Sequence, residues 1–440
     1  MTIRGSADMS EAMEREGKEV LRRLGLAGYE AYFVGGCVRD SLLGRLLKDI
    51  DIATSALPDE VMRLFERTAP TGLAHGTVTV IMERYTFEVT TFRKESEYEQ
   101  FRRPKEVEFI SDLNEDLRRR DFTINAMALD ADGGYIDPFG GASDLAAGRI
   151  RCVGDPLERF HEDALRMLRG IRFACEYGFG LEADTWSALV RHAPLLVHVA
   201  MERVSAELDK MIEGRAPDRA IRLLIDSRLP RHFKQPIEWP LSRWEDCPES
   251  FRQDKLKAIG GSELRWAALF VLMESDPASA KVAMKGLKFS GKKTDTIGRL
   301  LQTNDWIKER TLRVASREKS AAVNADEAFA MIADCCVMVG KPVVRDWFAL
   351  AAWQSGALGD NRFRPFVERG SEWLERVPVD RVNDLAISGS EVAAELDEKP
   401  GPWLGRLLNE LLALAARRKV PNEREALLRQ AKILVKQECN

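Results

Sequence analysis

Gly35-Gly36-Cys37-Val38-Arg39-Asp40, followed shortly by Lys48-Asp49-Ile50-Asp51, is the stretch on which the fold turns. Tyr32-Phe33-Val34 before it reads as a short strand entering the glycine pair, and Asp49-Ile50-Asp51-Ile52-Ala53 after it as another. Between them a helix is expected from about Val38, carrying Leu42-Leu43. Alternate side chains of an extended segment share a face, so Asp49 and Asp51 project together while Ile50 and Ile52 enter the core. Two carboxylates so placed suit a hard cation. A glycine turn opening a helix offers backbone N–H groups to a phosphate, and Arg39 adds charge. Either half alone reads as a tight turn or a solvated strand edge; together they point to a nucleotide site. A dinucleotide-binding fold is not indicated, because no G-x-G-x-x-G occurs.

Outward from this stretch the chain stays mixed α/β for its first third. A helix is expected from Ser10 to Leu24 and another from about Pro58, where proline suits the first turn. Thr77–Met82 and Thr86–Phe92, rich in β-branched and aromatic residues, read as a hairpin closed near Glu83-Arg84-Tyr85, with Val107-Glu108-Phe109 a weaker strand. Glu88 lies on that hairpin with Thr90 on its face: a third carboxylate for the acidic cluster or an exposed strand glutamate, readings the sequence weighs equally. Arg118-Arg119-Arg120-Asp121-Phe122-Thr123-Ile124-Asn125 is either a surface salt-bridge cluster or the arginine fork that a triphosphate wants. Asp137-Pro138-Phe139-Gly140-Gly141 marks a turn that ends the region.

From Asp155 the strand signals almost vanish. Asp155-Pro156-Leu157-Glu158 carries a cap, a proline at the first helical position and an early acid, so a helix is expected to start there. Continued at 100° per residue, it places Glu162, Arg166 and Arg169 on one stripe, flanked by Asp163 and Arg172, a pattern that ordinary ion pairs also produce. Leucine-rich amphipathic stretches follow to the end, interrupted at Tyr177-Gly178-Phe179-Gly180, Trp239-Pro240, Ser290-Gly291 and Gly401-Pro402. Lys281, Lys285, Lys288, Lys292, Lys293 and Arg299, opposed only by Asp295, make a local basic run, more often a solvated face than an RNA contact.

Composition narrows the classes. A chain of 440 residues implies about three domains at roughly 100–200 residues each. With 45% hydrophobic and 31% charged residues it can build packed cores, and no apolar run nears the ~18–20 residues of a membrane span. The first residues lack the apolar stretch of a secretory signal, so export is not expected. Seven scattered cysteines without C-x-x-C spacing argue for buried thiols and no disulfide partner, and five histidines without an H-x-x-x-H pair leave carboxylates as the metal ligands. A net charge of -4 neither demands nor excludes nucleic acid.

In this order and spacing, the G-G-x-V-R-D, D-x-D, R-R-D-F-T-x-N and E-D-x-x-R motifs resemble the bacterial class II CCA-adding enzymes, tRNA nucleotidyltransferases. The likeness covers nearly the whole chain, including Glu391-Val392, Gly401-Pro402-Trp403 and Val420-Pro421-Asn422-Glu423. It implies an α+β chain: a small mixed-sheet nucleotidyltransferase head (1–147), then an all-helical neck (148–215), body (216–305) and tail (306–440) in a seahorse arrangement. It further implies that Asp49 and Asp51 ligate Mg2+, that Gly36, Arg39 and Arg120 touch the incoming nucleotide, that Asp163 and Arg166 read its base, and that Arg169 and Arg172 support the triphosphate or the template. The implied partners are CTP, ATP and the acceptor arm and 3′ end of tRNA, in the cytoplasm and away from membranes. Base reading has its own physical account. Cytosine and adenine present an amino donor beside a ring-nitrogen acceptor, guanine and uracil the reverse, so an accepting carboxylate beside a donating guanidinium fits only the first pair.

Three other readings compete. A poly(A) polymerase shares the head motifs, but such enzymes often carry strongly basic C-terminal extensions, whereas Lys432 and Lys436 are balanced here by Glu425 and Glu438. A partial enzyme adding only CC or only A is the second; CC-adding relatives lack part of a loop after the Glu88 strand, and this chain keeps Arg93–Arg103. A non-catalytic RNA-binding scaffold is the third, against which intact Asp49 and Asp51 speak.

Overall fold

Helix α1 (Ile3–Leu26) packs so closely on a sheet that a Cβ added at Gly17 would stand 3.0 Å from the Phe33 ring and 3.2 Å from that of Phe87. The computed structural model describes residues 3–95, 98–99, 103–104, 107–235, 254–318 and 323–438. Its contacts divide the chain into two compact units, Met1–Ile237 and Glu238–Asn440.

The N-terminal unit opens with β1 (Ala31–Val34), α2 (Gly36–Leu42), β2 (Asp51–Thr54), α3 (Pro58–Leu64), β3 (Thr68–Gly72), β4 (Thr77–Ile81) and β5 (Thr86–Thr91). Its seven-stranded sheet runs in the order Tyr135–Ile136, Ala128–Leu129, β1, β2, β5, β4, β3. The β2/β5 pair is parallel and the other pairs are antiparallel, which makes the sheet mixed, as expected. The hairpin closes as its composition predicts, with Ile81 opposite Thr86. Strand β3 and the two short strands at the other edge escaped the sequence reading: β3, Thr-Ala-Pro-Thr-Gly, has no alternating pattern, and the others are two residues long. Val107–Phe109 pairs with Arg93–Glu95 in a separate ribbon. Within the retained Arg93–Arg103 stretch, Ser96, Glu97, Gln100, Phe101 and Arg102 lie outside the described residues.

Helices α4 (Leu113–Arg118), α5 (Gly141–Ala146), α6 (Pro156–Glu162), α7 (Leu165–Tyr177), α8 (Ala183–His192), α9 (Met201–Glu213) and α10 (Pro217–Asp226) complete this unit. Asp155 caps α6 by accepting from Leu157 N, with Pro156 at the first position. The helix expected to run from there through Arg172 is instead broken at Asp163, whose backbone is extended (φ -142°, ψ 101°). The cause is local competition: the Asp163 carboxylate accepts from Leu165 N at 3.1 Å, starting α7 afresh. Glu162 still reaches Arg166 at 2.6 Å across the break. Gly178, at φ 74°, ends α7 in the left-handed conformation that favours glycine.

The secondary-structure elements described in the C-terminal unit are all helices, and Ser290-Gly291 and Gly401-Pro402, read from sequence as interruptions between helical stretches, fall at helix starts. Trp239-Pro240 lies outside the described residues. Its core gathers Trp347, Phe363, Phe366 and Trp373 in edge-to-face contacts. Of the basic run, Lys281 and Lys285 sit on Pro277–Gly286 and Lys292, Lys293 and Arg299 on Gly291–Glu318, where Arg299 pairs with Asp295 at 3.0 Å. No described helix is long and apolar enough to cross a membrane. Cys37, Cys152, Cys175, Cys335 and Cys336 are free and buried, while Cys247 and Cys439 lie outside the described residues.

Candidate active site

Gly35 makes the bend between β1 and α2. Its φ of 74° suits only glycine, and a Cβ there would stand 2.9 Å from Arg120 Nη1 and 3.9 Å from Asp51 Oδ2. The bend therefore brings a guanidinium and a carboxylate against bare backbone. Beyond it, Ile50 and Ile52 are buried and Asp49 and Asp51 exposed, the alternation expected of an extended segment, although the strand proper begins only at Asp51.

A cavity of about 510 Å³ opens here. Gly35, Gly36, Arg39, Asp49, Asp51, Arg120, Asp163, Arg166 and Arg169 all line it, so residues more than 100 positions apart in the sequence converge on one space. Arg172 does not line it: its Nε donates to Glu207 at 2.6 Å on α9. Glu88 stands opposite Asp51 in the parallel register, and shares with it an adjoining cavity of about 180 Å³.

The two acids are electrostatically uncomfortable. Neither carboxylate is hydrogen-bonded or ion-paired among the described residues. Desolvation in the concave site, reinforced by the charges of Asp49 and Glu88 and opposed by Arg120, pushes the Asp51 carboxyl up to about 6, although part of the side chain meets solvent. No group of three His, Cys, Asp or Glu is gathered tightly enough to hold a metal among the described residues. A pair of unneutralised carboxylates nonetheless fits Mg2+, which commonly takes one or two protein carboxylates and completes its octahedron with water and substrate phosphates.

The arginines, by contrast, are held. Arg39 is buried beneath the cavity, donating to Asn125 Oδ1 at 2.5 Å and to Asp40, with its guanidinium 4.6 Å from the Tyr177 ring centroid. Arg120 reaches Asp116 at 3.3 Å, and its Nε is buried without a partner. Asp116 is itself buried; against that burial, the charges of Arg119 and Arg120 hold its carboxyl below the ordinary range. Asp121 is a second hub, accepting from Asn125 Nδ2 at 3.0 Å and from Arg169 Nε at 2.8 Å. Its burial works to raise the carboxyl, but the Arg169 charge and the Asn125 hydrogen bond bring it down to about 2. Arg166, 8% exposed, donates to Glu162 and to the Arg119 carbonyl at 2.8 Å. The Asp163 carboxylate accepts two hydrogen bonds from Arg203, at 2.8 and 3.3 Å.

Asp121, Asn125, Phe173 and Arg203 also line the cavity and were not singled out from sequence. Asp121 and Asn125 sit within a motif that was quoted, so their offset of four was available as a signal. Arg203 lies on α9, 40 positions beyond Asp163, in an unremarkable amphipathic helix, and nothing local marks it.

A mixed sheet bearing paired acids beside a glycine bend, with an arginine-lined cavity closed by helices, defines a nucleotidyltransferase head. The family model for the poly A polymerase head domain matches residues 31–151, that for the probable RNA and SrmB-binding site of polymerase A residues 178–237, and that for tRNA nucleotidyltransferase domain 2 residues 366–431. Over its length the chain is 36% identical to the CCA-adding enzyme of Enterococcus faecalis (95% of each chain) and 38% identical to that of Bacillus velezensis (92% of this chain, 94% of that one). The structure of the Bacillus stearothermophilus CCA-adding enzyme in complex with CTP superposes with a TM-score of 0.79 at 30% identity, covering 96% of this chain and 98% of that one. The chain belongs to the CCA-adding enzymes.

Proposed function

We propose that this protein adds cytidine, cytidine and adenosine to the 3′ end of tRNA without a nucleic-acid template, using CTP and ATP. The RNA 3′-hydroxyl attacks the α-phosphate in line and pyrophosphate leaves. The observation that carries this reading is one cavity lined by two unpaired carboxylates, a glycine bend, an array of anchored arginines and the Asp163–Arg166 pair.

Asp49 and Asp51 would hold Mg2+, with Glu88 across the strand pair as a further carboxylate. Held by these carboxylates, Mg2+ would supply Lewis-acid chemistry, lowering the pKa of an attacking hydroxyl and offsetting the charge of the leaving pyrophosphate. Gly36, Arg39 and Arg120 position the phosphates beside the acids. Arg169 extends that support toward the base, and Arg172 acts from behind through α9. Asp163 and Arg166 read the base edge. The carboxylate has about four lone-pair positions, of which Leu165 N and the two Arg203 hydrogen bonds occupy three, leaving one for an amino group of cytosine or adenine. Locked in this way, the pair needs no rearrangement to select.

The residue divisions 1–147, 148–215, 216–305 and 306–440 serve as head, neck, body and tail, the last engaging the tRNA. The buried free thiols are consistent with work in the reducing cytoplasm. Sequencing the ends of a tRNA lacking its CCA after incubation with CTP alone, ATP alone and both tests the reading. Two cytidines with CTP alone and a single terminal adenosine with both are expected. Long adenosine tails would indicate a poly(A) polymerase, two cytidines and no adenosine a CC-adding enzyme, and no extension at all would defeat the assignment.

A further inference from the structure

Phe173 stands on α7 one turn beyond Arg169, 5% exposed, at the wall of the arginine-lined cavity. In the sequence it is one more apolar position of an amphipathic helix. Packing accounts for part of its surroundings: Phe122 meets its ring edge to face at 5.9 Å between centroids, and Tyr177 is stacked on it at 6.2 Å. Packing does not account for the rest. The guanidinium carbons of Arg39, Arg169 and Arg172 stand over this ring, at 5.5, 5.3 and 4.1 Å from its centroid. Three cations, from α2 and α7, thus share one neutral side chain.

Gathering like charges is costly, and each arginine is also held by a carboxylate. Arg39 donates twice to Asp40, at 3.0 Å each; Arg169 donates to Asp121 at 2.8 Å, and Arg172 to Glu207 on α9 at 2.6 Å. Three cations and three anions already balance. A fourth carboxylate at position 173 would draw the guanidiniums in but leave the group net negative, against the phosphates that Arg39 and Arg169 face across the cavity wall. An aliphatic side chain would fill the space and attract nothing. The face of a benzene ring is negative although the ring carries no net charge, so it collects cations without weakening the field that a triphosphate meets.

We propose that Phe173 is a positioning residue for the incoming nucleotide. Its ring face sets Arg39 and Arg169 at the cavity wall and ties both to Arg172, which is anchored on α9 outside the cavity. The inference rests on the reading of these arginines as triphosphate ligands and adds what keeps them in place. A site that must stay cationic is organised here by a ring in addition to its acids.

Fluorination tests it in the full chain, because each fluorine drains the ring face of electron density and leaves the shape nearly unchanged. Monofluoro-, difluoro- and trifluorophenylalanine are placed at position 173, and CTP incorporation into tRNA lacking its CCA is followed. KM for CTP should rise stepwise along the series, to roughly tenfold in the trifluoro variant. The change in kcat should be smaller, since phosphates are held in the ground state and the transition state alike, and thermal melting should match the parent. Phe173→Leu should raise KM about as much. A KM that stays flat along the series would overturn the proposal, even if Phe173→Leu loses activity or does not fold, because the ring would then only pack. Arg169→Gln separates this failure from that of the underlying reading. A raised KM in Arg169→Gln with a flat fluorine series overturns the role of Phe173 alone, whereas a KM unmoved by either defeats the triphosphate role of the arginines as well.

Discussion

The two ends of the arginine-lined cavity solve opposite electrostatic problems. At the strand end, Asp49 and Asp51 stand beside each other without an ion pair, and Asp51 is pushed up to about 6. At the helix end, the Asp163 carboxylate is clasped by Arg203, and Arg166 by Glu162 and the Arg119 carbonyl. Unneutralised charge is what a cation site needs, because the ion itself completes the balance. Neutralised, fixed charge is what selection needs, because a reader free to swing would fit every base. On the proposed function, the same residue type would therefore do different work according to what is left unpaired around it.

Removing either strand acid attacks this contrast hardest. Asp49→Ala and Asp51→Ala should each cut nucleotide incorporation on the order of 10³-fold or more, corresponding to several kcal/mol of lost charge stabilisation. Thermal melting should stay unchanged or rise, since a repelling charge disappears; a fall comparable to that of a core mutant would show the acids to be structural. At the other end Asp163→Ala should leave incorporation measurable but lower the preference for CTP over UTP roughly 5- to 150-fold, at ~1–3 kcal/mol for the one reversed contact it removes. Single-nucleotide incorporation with each triphosphate reads this, and unchanged discrimination would move base reading elsewhere.

Arg203→Ala sharpens the comparison, because it removes the clasp and keeps the proposed reader, Asp163. A rise in misincorporated UTP of about tenfold is expected, with a larger effect on KM for CTP than on kcat, because a loosened Asp163 samples other orientations. If only stability falls and fidelity holds, Arg203 is a brace and nothing more.

The smallest expected effect is on pH dependence, and its sign differs between the carboxylates. Asp121, brought down to about 2 from the ordinary 3.8, contributes stability fully present above pH ~4 and lost as pH falls toward 2, on the order of 2 kcal/mol. Asp51, raised to about 6, acts the other way: its folded form holds a proton that the unfolded chain releases, so stability is lost as pH rises from about 4 to 6. Melting curves of Asp121→Asn and Asp51→Asn against pH should therefore diverge from the parent in opposite windows. A shared window would mean that the two environments are not distinct.

Much of the head was legible because its signals are local. The alternation from Asp49 to Ile52 fixes which side chains face solvent, and the glycine pair fixes where the backbone bends, both within a few residues. The α6–α7 break was not legible, since the Asp163 carboxylate competes with the helix for Leu165 N and nothing in the 3.6-residue period says which wins. The placement of Arg172 against Glu207 rather than in the cavity depends on where α9 packs, 35 positions away.

The sequence by itself determined that paired acids, a glycine bend and clustered arginines exist at spacings suited to a nucleotide, because strand alternation and turn stereochemistry are properties of short segments. Only the tertiary structure decided which charges remain unpaired. Whether a carboxylate meets a guanidinium depends on helices brought together from distant parts of the chain, and electrostatic energy follows distance in space rather than in sequence.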